Sequence, residues 1–329
     1  MKKILLAALL AALASSARAQ GVTIKLGTLA PQGSTWHDLL RELGQKWEEA
    51  SGGKVKLRIY AGGTQGGEGD MMRKMAVGQL QAAAISNIGM HDVAAEPQGL
   101  SIPFVFQDEA QMQCALKKVR PRIEQVLLQR GFVAIQWSTV GAIHLFCNKP
   151  HRSPADMGDT KIWAWEGDPK SVEAFRLAGL KPVVLSSAEI VSSLQTGMID
   201  CVPNVPLYML TTRLFERASN MMDTTWAYLI GATLVRKDTW DKVPADLRPK
   251  LLGIAQDLGN RIDAEVRRLN EDAVAAMQKQ GLKIVPSDAA AWRAAMDKAT
   301  SAVRGGVVPA EFYDEIVAAR KACQAEGKK

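Results

Sequence analysis

Much of this chain's chemistry is narrowed by what it lacks. After the first residues no run approaches the ~20 apolar residues that a membrane span needs. No block of lysine and arginine occurs. Basic residues are scattered among acidic ones, which argues against a nucleic-acid footprint. The four histidines, His37, His91, His144 and His151, form no H-E-x-x-H pair, and no G-x-S-x-G elbow is present. The glycine-rich stretch Gly62–Gly69 closes on Glu68-Gly69 and then Asp70, without the Gly-Lys-Ser/Thr of a phosphate loop. Cysteine is scarce. Cys114, Cys147, Cys201 and Cys323 have no zinc-ligand spacing and allow three full pairings. Cys114 and Cys323 both read as outer-helix residues, so a bridge between them is one option. Neither a cofactor nor a metal site is indicated, and no repeat or low-complexity linker appears.

What is present begins with a leader. Lys2-Lys3, the apolar run Ile4–Ala14 and Ala17-Arg18-Ala19 before Gln20 have the form of a cleavable secretory signal peptide over residues 1–19. Its export would place the mature protein in the periplasm, where disulfides form. Losing Lys2, Lys3 and Arg18 lowers the formal charge from +7 to +4. The 329 residues suffice for two domains, and 47% hydrophobic with 23% charged residues describes an ordinary soluble protein.

Strand and helix signals alternate along the chain. Val22–Gly27 and Val55–Tyr60 alternate in strand fashion around a helix from Thr35 to Ala50, with Ser34 as its N-cap. Trp36 and His37 lie in that helix's first turn, beside the end of the first strand. Leu80–Ile85 is a third strand, and Ser86-Asn87 follows it as a loop able to offer donors. A helical region opens at Asp108 and breaks near Pro121. Phe132–Trp137 and Gly141–Phe146 read as two strands. From Asp159 to Pro206 the order is strand, helix, strand, helix, strand, the pattern of a parallel sheet with crossover helices. Trp163, Trp165 and Asn204 fall near strand ends, where open α/β sheets bind ligands. Tyr228–Arg236 is a further strand, with Trp226 just before it. Pro244–Gly281 is one long helix with an apolar stripe. Ser287 caps the next helix, and Pro309 begins the last. Trp47, Trp240 and Trp292 sit on helix faces that favour core packing.

Several segments resemble one family in their order. They are the first strand with its Pro31 loop, Ser51-Gly52-Gly53-Lys54-Val55, Gly62–Met75 and Ile102-Pro103-Phe104. The most specific is Leu194-Gln195-Thr196-Gly197-Met198-Ile199-Asp200 ahead of Asn204. The chain resembles the substrate-binding proteins of tripartite ATP-independent periplasmic (TRAP) transporters, the dicarboxylate-type (DctP) family. The resemblance implies an α/β fold of two domains, the periplasmic-binding-protein fold, with hinge strands and a long domain-spanning helix. It implies domain I at 20–140 plus 229–268 and domain II at 141–228 plus 269–329. It also implies closure around a small molecule and delivery to the membrane subunits of a sodium-driven TRAP transporter. Monomer and dimer both stay open.

Two departures stand out. Acid-binding members carry an arginine where this chain has Trp163, and a second where it has Ile143, while their asparagine is matched by Asn204. A carboxylate in a dry cleft without a cation costs several kcal/mol. An indole offers an apolar face and a single donor. The resemblance is therefore to a tryptophan-bearing branch, and the expected ligand is apolar or amphipathic. The candidate ligand-binding residues are Trp163, Asn204, Trp165, Trp36, His37, Ile143, Asn87, Trp226 and Tyr228, with Trp137 and His144 as amphipathic neighbours. One alternative is an organic-acid binder whose cation has moved to Lys161, Arg73 or Arg213. Another is an exported enzyme using Ser86, Cys147 or Cys201, though no signature places a base beside them.

Overall fold

A computed structural model describes residues 21–326 except 92, 167–168 and 187–188. The expected leader, residues 1–19, lies outside the described residues.

In chain order the elements are β1 (Val22–Thr28), α1 (Thr35–Ala50), β2 (Val55–Tyr60), α2 (Glu68–Ala76), β3 (Ala82–Ser86) and the single turn α3 (Asn87–Met90). A 3-10 turn (Glu96–Ser101), α4 (Glu109–Gln129), β4 (Phe132–Cys147), β5 (Lys161–Trp165), α5 (Pro169–Leu177), β6 (Lys181–Leu185) and α6 (Ile190–Thr196) follow. Then come β7 (Cys201–Asn204), α7 (Pro206–Thr211), β8 (Asn220–Met222), β9 (Ala227–Arg236), α8 (Lys237–Trp240) and α9 (Arg248–Lys279). The chain closes with β10 (Lys283–Val285), α10 (Ala289–Asp297), α11 (Thr300–Val303) and α12 (Ala310–Glu326).

The main sheet runs β2-β1-β3-β9-β4-β7-β5-β6. β1, β2 and β3 are parallel, as are β5, β6 and β7, and β4 and β9 lie antiparallel between the two groups. The two strands expected at Phe132–Trp137 and Gly141–Phe146 are one strand, β4. Bulges near Ile135 and Val140 disturb its alternation and gave it the look of two. The helix expected to break at Pro121 also runs through. Pro121 and Lys117, whose carbonyl it leaves unpaired, both lie on the exposed side, where water can serve that carbonyl.

Each half of the sheet is packed on both faces. In the first half Ile24 and Leu26 meet Leu43 and Trp47 of α1 and Leu251 and Leu258 of α9. The opposite face packs Met71 and Met75 of α2 with Met112 and Ile123 of α4 and Phe312 and Ile316 of α12. In the second half Ile162 and Leu145 pack with Trp292, while Phe146 and Val202 pack with Leu194, Met209 and Met277. The core tryptophans lie where helical spacing puts them, and the Trp47 indole donates to the Leu251 carbonyl at 2.9 Å.

Helix α9 has 32 residues, on the order of 48 Å at 1.5 Å per residue. It starts in the first core and ends with Met277 in the second. Gly259 lets it lie directly on β4, since a Cβ there would sit 2.7 Å from the Trp137 carbonyl oxygen. The last helix departs from the expected division. The resemblance puts residues 310–326 with the second half, yet Phe312 and Ile316 pack with Met112 and Ile123 of the first. Cys114 and Cys323 form a disulfide joining α12 to α4, and Cys147 and Cys201 form a second joining β4 to β7. The N-cap of α10 is Asp288, accepting from Ala291 N–H at 2.9 Å, while Ser287 bonds Asp223 instead.

Candidate functional site

Strand alternation sets the geometry at β5. Ile162 and Ala164 are buried, whereas Trp163 and Trp165 point to the other face. Ile162 pairs with Cys201 of β7, so Trp163 and Val202 share a face, and both belong with the same cluster of apolar residues. Asn204 lies two residues beyond Val202 and pairs with His144 of β4. Trp163, Asn204 and His144 are thus on one face of the second half. Ile143 has the opposite parity. It packs beside Phe104 and Trp226, and its carbonyl accepts from the Trp226 N–H at 2.7 Å. The sheet therefore does not bring Ile143 to the face of Trp163.

Trp165 reaches the first half. Its ring stands edge-on to His91, with centroids 6.3 Å apart and planes at 89°. His91 closes the turn of α3 that begins at Asn87, so the two residues lie one helical turn apart. Three atoms in this region are shielded from solvent and have no hydrogen-bond partner among the described residues: Asn87 Oδ1, His91 Nδ1 and Trp163 Nε1. Buried polar atoms rarely stay unpaired. His91 was not singled out from sequence. The signal was its i, i+4 spacing from Asn87.

The α3 turn is held from outside. The Glu68 carboxylate accepts from the Ser86 N–H at 2.8 Å and from the Ser86 hydroxyl at 2.6 Å, and the Gly89 amide adds a further bond. Burial pushes the Glu68 carboxyl up, against those hydrogen bonds. Glu68 thereby supplies the acceptor that so short a helix lacks at its start.

The remaining candidates lie elsewhere. Trp226 is 2% exposed and packs on Phe104, Phe175 and Trp292, with centroids 5.2, 5.8 and 5.4 Å away. It is a core residue, placed there by rings from three other parts of the chain. Trp36 packs on the edge of the first core. His37 Nδ1 accepts from the Gly33 N–H at 3.1 Å and so holds its own loop. Tyr228 borders a cavity of about 260 Å³ where β4, β9 and α9 meet, together with Thr139, His144 and Asn270. Burial there pushes its hydroxyl up to about 12.

The cations proposed for an acid are engaged. Lys161 donates to the Gly197 carbonyl at 2.5 Å, Arg73 pairs with Asp70, and Arg213 pairs with Glu216. Cys147 and Cys201 are bonded to each other, which removes both as nucleophiles.

A model of the family described as bacterial extracellular solute-binding protein, family 7 (DctP), matches residues 26–304. The chain belongs to this family. It is a solute-binding protein and not an enzyme. A solute-binding protein of Roseobacter denitrificans is 26% identical over 303 residues, covering 89% of this chain and 90% of the relative. The C4-dicarboxylate-binding periplasmic protein DctP of Rhodobacter capsulatus is 25% identical, covering 85% and 84%. Among solved structures, a TRAP periplasmic solute-binding protein of Chromohalobacter salexigens with bound D-glucuronate superposes with a TM-score of 0.83. It is 19% identical and covers 91% of this chain and 99% of its own. One from Desulfovibrio salexigens with bound orotic acid gives 0.82 at 17% identity, covering 93% and 99%. This family 7 protein thus has the two-domain periplasmic-binding-protein fold.

Proposed function

We propose that this family 7 protein captures an apolar or amphipathic small molecule outside the cytoplasm, closes its two halves around it and delivers it to the membrane subunits of a TRAP transporter. In this reading the leader is cleaved before the mature chain acts. The observation that carries the ligand class is Trp163, an indole on the face shared with Asn204 and His144, with Lys161, Arg73 and Arg213 all engaged elsewhere. D-glucuronate, orotic acid and C4-dicarboxylates are acids, and their carboxylates call for a fixed cation that those three residues do not supply. β4, β9 and α9 would act as the hinge. The halves divide near residue 140 and near residues 229 and 268, with α12 on the first. Contacts from both halves favour the closed state only when the solute is present.

Native mass spectrometry of the purified protein tests the ligand class directly, since an apolar solute stays bound through purification. Trp163→Ala should weaken such a solute by about 1–3 kcal/mol if the ring stacks on it. Tight calorimetric binding of succinate, lost in Lys161→Ala or Arg73→Ala, would sink the apolar reading in favour of an organic-acid binder.

A further inference from the structure

The three unpaired atoms between the halves specify more than apolarity. Asn87 is 1% exposed, and its backbone carbonyl accepts from Gln98 Nε2 at 2.7 Å. That bond fixes which end of the Gln98 amide is nitrogen. Gln98 Oε1 must then accept from Asn87 Nδ2, as it does at 2.9 Å. The free end of the Asn87 amide is therefore an oxygen, which only a donor can satisfy. Trp163 Nε1 has the opposite need, because an indole N–H can only donate. The two atoms are linked through the fold. Asn87 and His91 flank one turn of α3, His91 touches Trp165, and Trp165 shares a strand face with Trp163.

We propose that the solute is a neutral molecule with an apolar body, a hydrogen-bond donor read by Asn87 and an acceptor read by Trp163. His91 is a specificity-determining residue that grips it against Trp165. This rests on the apolar-solute reading above and sharpens it. A carboxylate offers acceptors alone, so it would set a lone pair against the acceptor oxygen of Asn87. A pure hydrocarbon would leave both atoms unpaired, and sites built around hydrogen bonds reject analogues that lack them. Amides and hydroxylated aromatics fit this demand.

The test is calorimetry on the full mature protein with three probes of one shape: benzamide, benzoate and toluene. Benzamide should bind at least ~10-fold more tightly than either of the others. In Asn87→Ala and His91→Phe the benzamide-to-toluene preference should fall by ~5-fold or more. The wild-type comparison stands even where a variant fails to fold. Toluene binding as tightly as benzamide, both ahead of benzoate, overturns this inference and leaves the apolar reading intact. That is also the result if bound water already satisfies the three atoms. Benzoate binding most tightly overturns both readings, as does binding of none of the three.

Discussion

Glu68 and Ser86 are joined by two hydrogen bonds to one carboxylate, from the backbone N–H at 2.8 Å and from the hydroxyl at 2.6 Å. The pair anchors the turn carrying Asn87 and His91 to the start of α2, 18 residues earlier in the chain. Glu68→Ala would leave the Ser86 amide unpaired and cost about 1–3 kcal/mol, measured by urea unfolding. Glu68→Gln, which keeps an acceptor, should lose less. Equal losses in the two variants would show that side-chain packing, and not the bond, holds the turn.

Acid should weaken the fold through His144. Its Nδ1 lies 3.0 Å from the Met222 carbonyl, and burial pushes the imidazole below its ordinary value near 6.5. Between the folded and unfolded values the unfolded chain binds the extra proton, so stability is lost as pH falls below about 6.5. His144→Asn can keep a donor toward Met222 and cannot titrate. Its melting temperature should fall less than wild type between pH 7 and pH 5. Parallel curves for the two proteins would assign the acid response to other groups.

Gly259 sets how closely α9 approaches β4. In Gly259→Ala the new methyl would meet a backbone oxygen, which cannot rotate away. The helix must shift, at about 1–3 kcal/mol by analogy with overpacked cores. Thermal unfolding should show the loss. Solution scattering should show an altered profile, because the helix crosses both halves. Gly253, with open space around its Cβ position, is the control: Gly253→Ala should be neutral or slightly stabilising.

The Cys114–Cys323 bridge closes a sequence separation of 209 residues. Removing it as Cys114→Ser with Cys323→Ser should cost about 2–5 kcal/mol, chiefly by freeing the unfolded chain. Denaturant unfolding of the double variant measures this. A loss below ~1 kcal/mol would mean that packing of Phe312 and Ile316 and the ion pairs of Glu315 and Glu326 hold α12 without the bridge.

Local patterns carried much of the fold. Alternation placed Trp163 and Trp165 on one face of β5, and helical spacing placed Trp47 and Trp292 in cores. The site candidates that fell elsewhere depended largely on partners remote in sequence. Trp226 has no periodic neighbours, and nothing local reveals that Phe104 and Trp292 close around it. Ile143 lay beyond a bulge, so its facing could not be counted from the start of β4. The docking of α12 on α4 is likewise a meeting of distant segments, and its amphipathic face names no partner. His91 was missed because its contact with Trp165 joins the two halves.

The docking of α12 also changes the chain's connectivity. The polypeptide passes between the halves at β4, β9 and α9, and again between α11 and α12. The disulfide fastens that fourth passage to α4. A protease nick in residues 304–309 would therefore release nothing. The tail would stay tethered on a non-reducing gel and separate only once a thiol reductant was added.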